Sequence, residues 1–327
     1  PSGAQHKTSL LTLKTFPTMR NRFMAVCTLM AAAAMVFVSC KDAEDPIAQG
    51  TVDQTTRATS FDNFARVVYV EVNDVNPLNA GEYLLPDGKP FFTHVILFAS
   101  NIRGDANGNV HNYNNPNNAA ILANPTKYIA PLQAKGIKVL MGNLGDHTGA
   151  GFSNLTAAQI ETYTDDLLDY EDIVDGYDFD DEWAEYNTRG YPEYNTHSFS
   201  DLIIALNGKT DKLITVFDYD LSRNISSTAA ACVDLAYQGY LNGYSTSPTF
   251  PVPLSRYCPY LCDLTQPQSD ALVKSRVTSS KNANAGGVCF FNLPMQPTRL
   301  SKFNAAAQAF GLTVTHTGTT YPKDYGN

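Results

Sequence analysis

Eight short apolar or β-branched runs, at 67–72, 94–99, 137–142, 175–182, 213–219, 235–240, 257–261 and 288–293, recur along most of this chain. Most are continuously apolar rather than alternating, the pattern of parallel strands covered on both faces. The segments between them carry helical periodicity or helix caps at 125–135, 156–170, 198–206, 269–281 and 298–310. The second of these has Asn154 or Thr156 as a cap, with Leu167 and Leu168 on the side to be buried. Eight strands, most of them separated by helical segments, predict an α/β fold, a single (β/α)8 TIM-type barrel occupying 61–327. A chain of 327 residues with 43% hydrophobic content can fill such a core. Two connections are poor in helix, 81–89 and 101–118. The second, rich in Asn and Gly, is expected to be a non-helical loop on the C-terminal face, where binding loops of barrels sit.

Residues 19–40 read as a secretory leader: Arg20 and Arg22, an apolar run at 23–38, then Ser39 and Cys40. The run is too short for a comfortable membrane span. Its end, Phe37-Val38-Ser39-Cys40, resembles a bacterial lipobox, in which the cysteine takes a diacylglycerol and becomes the new N-terminus. The alternative is an ordinary cleaved leader that happens to contain a cysteine. Residues 1–18 are read as an upstream segment with no part in the fold, and 41–60 as a flexible tether. The acidic residues just behind Cys40 resemble the surface-export signal of Bacteroidetes lipoproteins, which implies a lipid-anchored protein on the outer membrane. The first 40 residues hold four of the 23 basic groups and none of the 32 acidic ones, so the remainder is more acidic than the net −9 of the whole chain. Such a surface repels phosphate backbones and excludes nucleic acid as a partner. Cys232, Cys258, Cys262 and Cys289 remain outside the leader, too few for a disulfide scaffold and without the paired spacing of a zinc site.

The most chemically informative segment is Asp175-Gly176-Tyr177-Asp178-Phe179-Asp180-Asp181-Glu182. Alternate residues of a strand share a face, so Asp178, Asp180 and Glu182 line one side and Tyr177 and Phe179 the other. With the aromatics under the helices, the carboxylates point into the barrel, where mutual repulsion and burial push their pKa values up and apart. A solvated acidic edge is disfavoured because Ile173, Val174, Tyr177, Phe179 and Trp183 need burial opposite. A Ca2+ site is disfavoured because its ligands come from looped rather than straight segments.

The pattern Asp-x-x-Asp-x-Asp-x-Glu, met by Asp175, Asp178, Asp180 and Glu182, resembles the signature of glycoside hydrolase family 18. Tyr69-Val70-Glu71-Val72-Asn73, Gly136-Ile137-Lys138-Val139-Leu140, the segment 144–152 and the segment 178–186 narrow the likeness to endo-β-N-acetylglucosaminidases of the Endo H type. The resemblance spans about 65–310, strongest over 136–186. It implies cleavage between the two N-acetylglucosamines of an N-glycan core, with no cofactor; a monomer is expected, though nothing in the sequence fixes the oligomeric state. It also implies roles: Glu182 as acid and then base, Asp180 as acceptor of the acetamido N–H, and Asp178 sharing a proton with Asp180. Family 18 stands apart from most glycosidases in being substrate-assisted, without a carboxylate nucleophile.

In Tyr237-Gln238-Gly239-Tyr240, Gln238 and Tyr240 match the family's acetamido-binding pair, with Tyr237 beside them. Gly142-Asn143-Leu144-Gly145 stands where the family has Ser-x-Gly-Gly, and Asn143 is carried as a substrate-binding candidate. Glu71 on the first run and Asn292 on the eighth are polar groups in apolar surroundings, expected near the floor of the site. Trp183 follows Glu182 on the opposite parity, which favours packing, and His147 reads as a loop residue. Tyr113, Tyr186, Tyr191, Tyr194 and Tyr244 are expected to offer faces to sugars. Two rival functions share the barrel: a non-catalytic surface glycan-binding lipoprotein, whose mark would be loss of the acid at 182, and a chitinase, against which segment 144–152 argues.

Overall fold

In a computed structural model, residues 60–326 are described; the leader, Cys40 and the tether lie outside them. Strands β1 (Ala65–Glu71), β2 (His94–Gly104), β3 (Lys138–Gly145), β4 (Gly176–Asp180), β5 (Leu213–Asp218) and β6 (Leu235–Gln238) pair in sequence, each parallel to the next. The seventh strand, β7, comes in two pieces, Tyr257–Cys258 and Leu261–Asp263. The first pairs with β6 and the second with β8 (Gly287–Phe291), which returns to β1 through Ala65↔Gly287 and closes the cylinder. Pro259, which has no N–H to give to a ladder, separates the two pieces. All eight predicted runs are therefore the eight barrel strands.

The continuous apolar runs arise because each strand is buried twice. Val67, Tyr69, Ile96, Phe98, Leu140, Phe217, Tyr237, Cys258 and Cys289 fill the interior. Their neighbours Val68, Val70, Val95, Val139, Tyr177 and Phe290 face the helices. Helix α4 (Ala157–Leu168) starts at a reciprocal cap, in which the Thr156 hydroxyl accepts from the Gln159 N–H and the Gln159 carboxamide accepts from the Thr156 N–H at 2.8 Å. The helices α5 (Ser198–Asn207), α7 (Asp270–Asn282) and α8 (Leu300–Gln308) also fall where the periodicity places them. A short helix, α6 (Ser227–Ala231), lies between β5 and β6, its Ser226 cap accepting the Ala229 N–H. The expected helix at 125–135 is instead two short ones, α2 (Pro125–Tyr128) and α3 (Ala130–Ala134), because Pro131 removes the bond that would join them.

The Asn-rich connection after β2 is not a plain loop. β2 runs on and folds back as a hairpin onto Val110–Tyr113. Helix α1 (Pro116–Leu122) then takes up residues 116–118, against the expectation of a non-helical loop; Asn115 caps it by accepting from the N–H groups of Asn117 and Asn118. The four cysteines outside the leader are free thiols, two of them, Cys258 and Cys289, deep in the barrel.

Candidate active site

Strand β4 is buried along its whole length. Tyr177 points outward and donates to the Leu167 carbonyl of α4 at 2.9 Å, and Phe179 packs edge-on against Phe152. Parity therefore turns Asp178 and Asp180 into the barrel, as the sequence predicts. Beyond Asp180 the chain keeps its partner: the N–H groups of Gly145, His147 and Gly149 reach the carbonyls of Glu182, Trp183 and Ala184 at 3.0, 2.8 and 2.8 Å. A Cβ at Gly145 would collide with the Glu182 carbonyl, so only glycine lets the two segments approach. This clamp fixes Glu182 at the C-terminal mouth, one pleat above Asp180.

The three carboxyls have unlike surroundings. Asp178 accepts from the Tyr69 hydroxyl at 2.7 Å and from the Thr215 hydroxyl at 2.6 Å. Burial still pushes it up to about 6, the two hydrogen bonds pulling the other way. Asp180 is as deeply buried, but its Oδ1 has no partner among the described residues. Burial first, then the charges of Glu182, Asp178 and Asp181, hold it well above the usual carboxylate range. Half-buried Glu182 is also raised, chiefly by burial. The site thus offers a pinned carboxyl, a proton-holding carboxyl with an unused oxygen, and an acid at the rim.

Gln238, at the end of β6, is buried and its side-chain oxygen accepts the Tyr240 N–H at 3.1 Å. That bond leaves its amide nitrogen to other partners, while Tyr240 stands 57% exposed with its ring 5.3 Å from that of Tyr219. Glu71 shares the inward face of β1 with Tyr69, at the mouth, and burial followed by the charge of Asp74 raises it to about 7. Asn292 follows β8 in the left-handed backbone region, φ 62°, which accounts for an asparagine there without any ligand.

Other expectations are corrected. Asn143 faces away from the barrel interior: its Nδ2 donates to the Met141 and Asp178 carbonyls, and its Oδ1 accepts from Tyr163 and Asn112. Every polar atom of it is used in holding β3 to β4 and α4, so it is not a sugar ligand. Tyr237 is closed off from solvent, edge-on against Tyr69 at 6.0 Å, and belongs to the barrel core rather than the binding surface. Tyr191 is buried, its hydroxyl donating to the Asp105 and Asn109 carbonyls. Asp175, the first acid of the pattern, to which the sequence assigns no role, sits at the base of β4, where it accepts the Val139 N–H at 2.9 Å. Trp183 is the reverse case. Expected to pack, it is 59% exposed, because the strand has ended and its φ of 60° swings the ring outward.

Trp183, Glu182, Tyr186, Tyr194 and Tyr219 line a cavity of about 350 Å³ at the mouth. Sequence parity identifies the inward acids but not Tyr69 and Thr215, whose hydroxyls hold Asp178 from β1 and β5, nor the outward pair Asp181 and Ser153. Among the described residues, no group of three or more His, Cys, Asp or Glu side chains is placed to hold a metal ion.

No protein-family model matches the sequence. An endo-β-N-acetylglucosaminidase from Flavobacterium sp. (strain SK1022) is 36% identical over 238 residues, 70% of this chain and 74% of that protein. Endo-β-N-acetylglucosaminidase F1 of Elizabethkingia meningoseptica is 34% identical over 217 residues, and the chain spans 63% of its length. A crystal structure of Bacteroides thetaiotamicron EndoBT-3987, in complex with a Man9GlcNAc2Asn substrate, superposes with a TM-score of 0.71 at 23% identity, covering 80% of this chain and 69% of that one. The structural likeness establishes the barrel, and the sequence likeness to the Flavobacterium enzyme, across 74% of its length, establishes that the chain belongs to the endo-β-N-acetylglucosaminidase family.

Proposed function

We propose that the chain hydrolyses the GlcNAc-β-1,4-GlcNAc bond in the core of N-glycans, by a retaining, substrate-assisted route. The observation that carries this reading is the contrast on β4 between Asp178, held by two hydroxyls, and Asp180, whose buried Oδ1 is unused. An acetamido N–H of the sugar on the non-reducing side supplies the missing donor. Docking it favours charge on Asp180, and the proton passes to Asp178 one pleat below. Glu182 gives its proton to the glycosidic oxygen as the acetamido oxygen attacks the anomeric carbon, so the C–O bond breaks and an oxazolinium ion forms against Asp180. Gln238 and Tyr240 orient the acetamido carbonyl. Glu182, now ionised, takes a proton from water, whose oxygen opens the ring from the face the leaving sugar vacated and restores the original configuration.

High-mannose glycans are the proposed class, the kind with which EndoBT-3987 was crystallised. A high-mannose glycoprotein and a chitin oligomer, each incubated with the enzyme and weighed by mass spectrometry, test the reading. Release of the glycan with one N-acetylglucosamine left on the protein is expected. Cleavage of the chitin oligomer alone would turn the reading to a chitinase, and cleavage of neither to a glycan-binding protein. We also propose that the enzyme is a monomer tethered through lipidated Cys40 to the outer-membrane surface. Cys40→Ser should move it from the membrane to the soluble fraction, and unchanged detergent partitioning would refute the anchor.

A further inference from the structure

On the outward face at the end of the catalytic strand, beside the mouth cavity, lies a third buried carboxylate. Asp181 is 6% exposed. Its Oδ2 accepts from the Ser153 hydroxyl and its Oδ1 from the Tyr186 hydroxyl, which in turn accepts the Ser153 N–H at 3.0 Å. The three groups form a closed relay joining the end of β4, the loop after β3 and the loop 183–194. That last loop needs an external tie, since Trp183, Glu185, Asn187 and Arg189 all have left-handed backbone, at φ 60°, 57°, 61° and 52°. Tyr186 also carries Tyr194 edge-on at 6.1 Å.

The cavity that this loop walls is bordered by Glu182 but not by Asp178, Asp180, Gln238 or Tyr240. A sugar in it therefore lies on the far side of the acid from the groups that handle the acetamido ring, which is the side of the leaving sugar. We propose that Asp181 and Tyr186 are positioning residues that, with Ser153, hold the wall of the subsite for the protein-linked N-acetylglucosamine, with Trp183 exposed as its platform. This rests on the glycosidase reading given above. The same subsite must receive an incoming acceptor. There the acceptor hydroxyl oxygen bonds to the anomeric carbon, Glu182 takes its proton, and the oxazolinium C–O bond breaks to return the acetamide.

A preformed high-mannose oxazoline with GlcNAc-asparagine as acceptor isolates this half of the reaction, because no leaving sugar is present. Tyr186→Phe keeps the ring and loses the hydroxyl. The acceptor KM should rise about five-fold, since the wall loses the bond to Asp181 and the bond from the Ser153 N–H, with the ratio of transfer to hydrolysis by water falling in step. Ser153→Ala, the milder variant, should shift both in the same direction by about two-fold and serves if Tyr186→Phe folds poorly in a thermal melt. An unchanged acceptor KM in folded variants, or transfer and hydrolysis falling in proportion, overturns the relay alone. Wild-type enzyme that leaves both oxazoline and glycoprotein intact overturns the glycosidase reading and the relay with it.

Discussion

The two ends of the barrel treat a buried ionisable group in opposite ways. At the base, Arg66 is 5% exposed and its guanidinium donates to three main-chain carbonyls, those of Phe61, Phe64 and Phe91. Burial lowers it to about 10, which still leaves it charged at neutral pH. At the mouth, Asp180 is equally buried, has an unpaired oxygen and is crowded by three other carboxyls. A buried ionisable group tied to several main-chain groups of the fold closes it. One left partly unsupplied, next to a cavity, destabilises the fold and is explained by what binds there.

The comparison is broken most severely if the mouth can lose its acid without consequence. Glu182→Gln should lower kcat on a high-mannose glycoprotein by about 10² to 10⁴, the usual worth of general acid catalysis, with the melting temperature almost unmoved. Wild-type turnover by this variant would remove Glu182 from the chemistry. Arg66→Met should do the converse. It strands the buried carbonyls of Phe64 and Phe91 and takes one of two donors from that of Phe61, and denaturant titration should show a loss of about 3 to 5 kcal/mol while kcat and KM of the remaining folded protein hold. A fall in kcat at full stability would show that base and mouth are not separate in function.

A third test uses pH. The folded-state pKa of Asp178 is raised from 3.8 to about 6, so the folded protein binds that proton more tightly than the unfolded chain. Its contribution is fully present below 3.8 and is lost as pH rises towards about 6. Asp178→Asn removes the titration. The stability difference between wild type and variant should therefore drift against wild type across that window, by at most about 3 kcal/mol for a shift near two units. A constant offset at every pH would mean that Asp178 is not perturbed in the folded state.

The base is easier to read from sequence than the mouth, for a physical reason. Barrel strands repeat one constraint, burial on both faces, so eight continuous apolar runs identify them even where Pro259 splits the seventh. Strand alternation also places Asp178, Asp180 and Glu182 inward. It fails where the strand ends: Trp183 turns out in left-handed backbone, and no local feature of Glu182-Trp183-Ala184 announces that. Asn143 misleads for the opposite reason, since alternation from Val139 and Met141 puts it outward and only its place in a motif suggests a sugar contact. Asp181 escapes notice because an outward-facing acid next to a catalytic one looks solvated. Its partners, Ser153 and Tyr186, come from two separate loops.

The smallest expected change in stability is the sharpest statement about the mouth. Asp180→Asn replaces a carboxyl already held neutral by burial and by its neighbours with a neutral group of the same shape. No fixed charge is lost, and Oδ1 had no partner to lose. Folding stability should stay within about 1 kcal/mol of wild type, or rise, in contrast to the loss expected from removing a group that holds three main-chain carbonyls. Activity should separate from stability. Hydrolysis of glycoprotein must slow, because a carboxamide in place of the Asp180 carboxyl cannot take up the charge that opposes the oxazolinium ion. Given a preformed oxazoline, the same variant should still transfer sugar to an acceptor, since Glu182 remains to take the acceptor's proton, whereas Glu182→Gln should transfer poorly. A destabilisation of Asp180→Asn as large as that of Arg66→Met would mean that Asp180 is a structural group after all, and the contrast between the two ends of the barrel would fail.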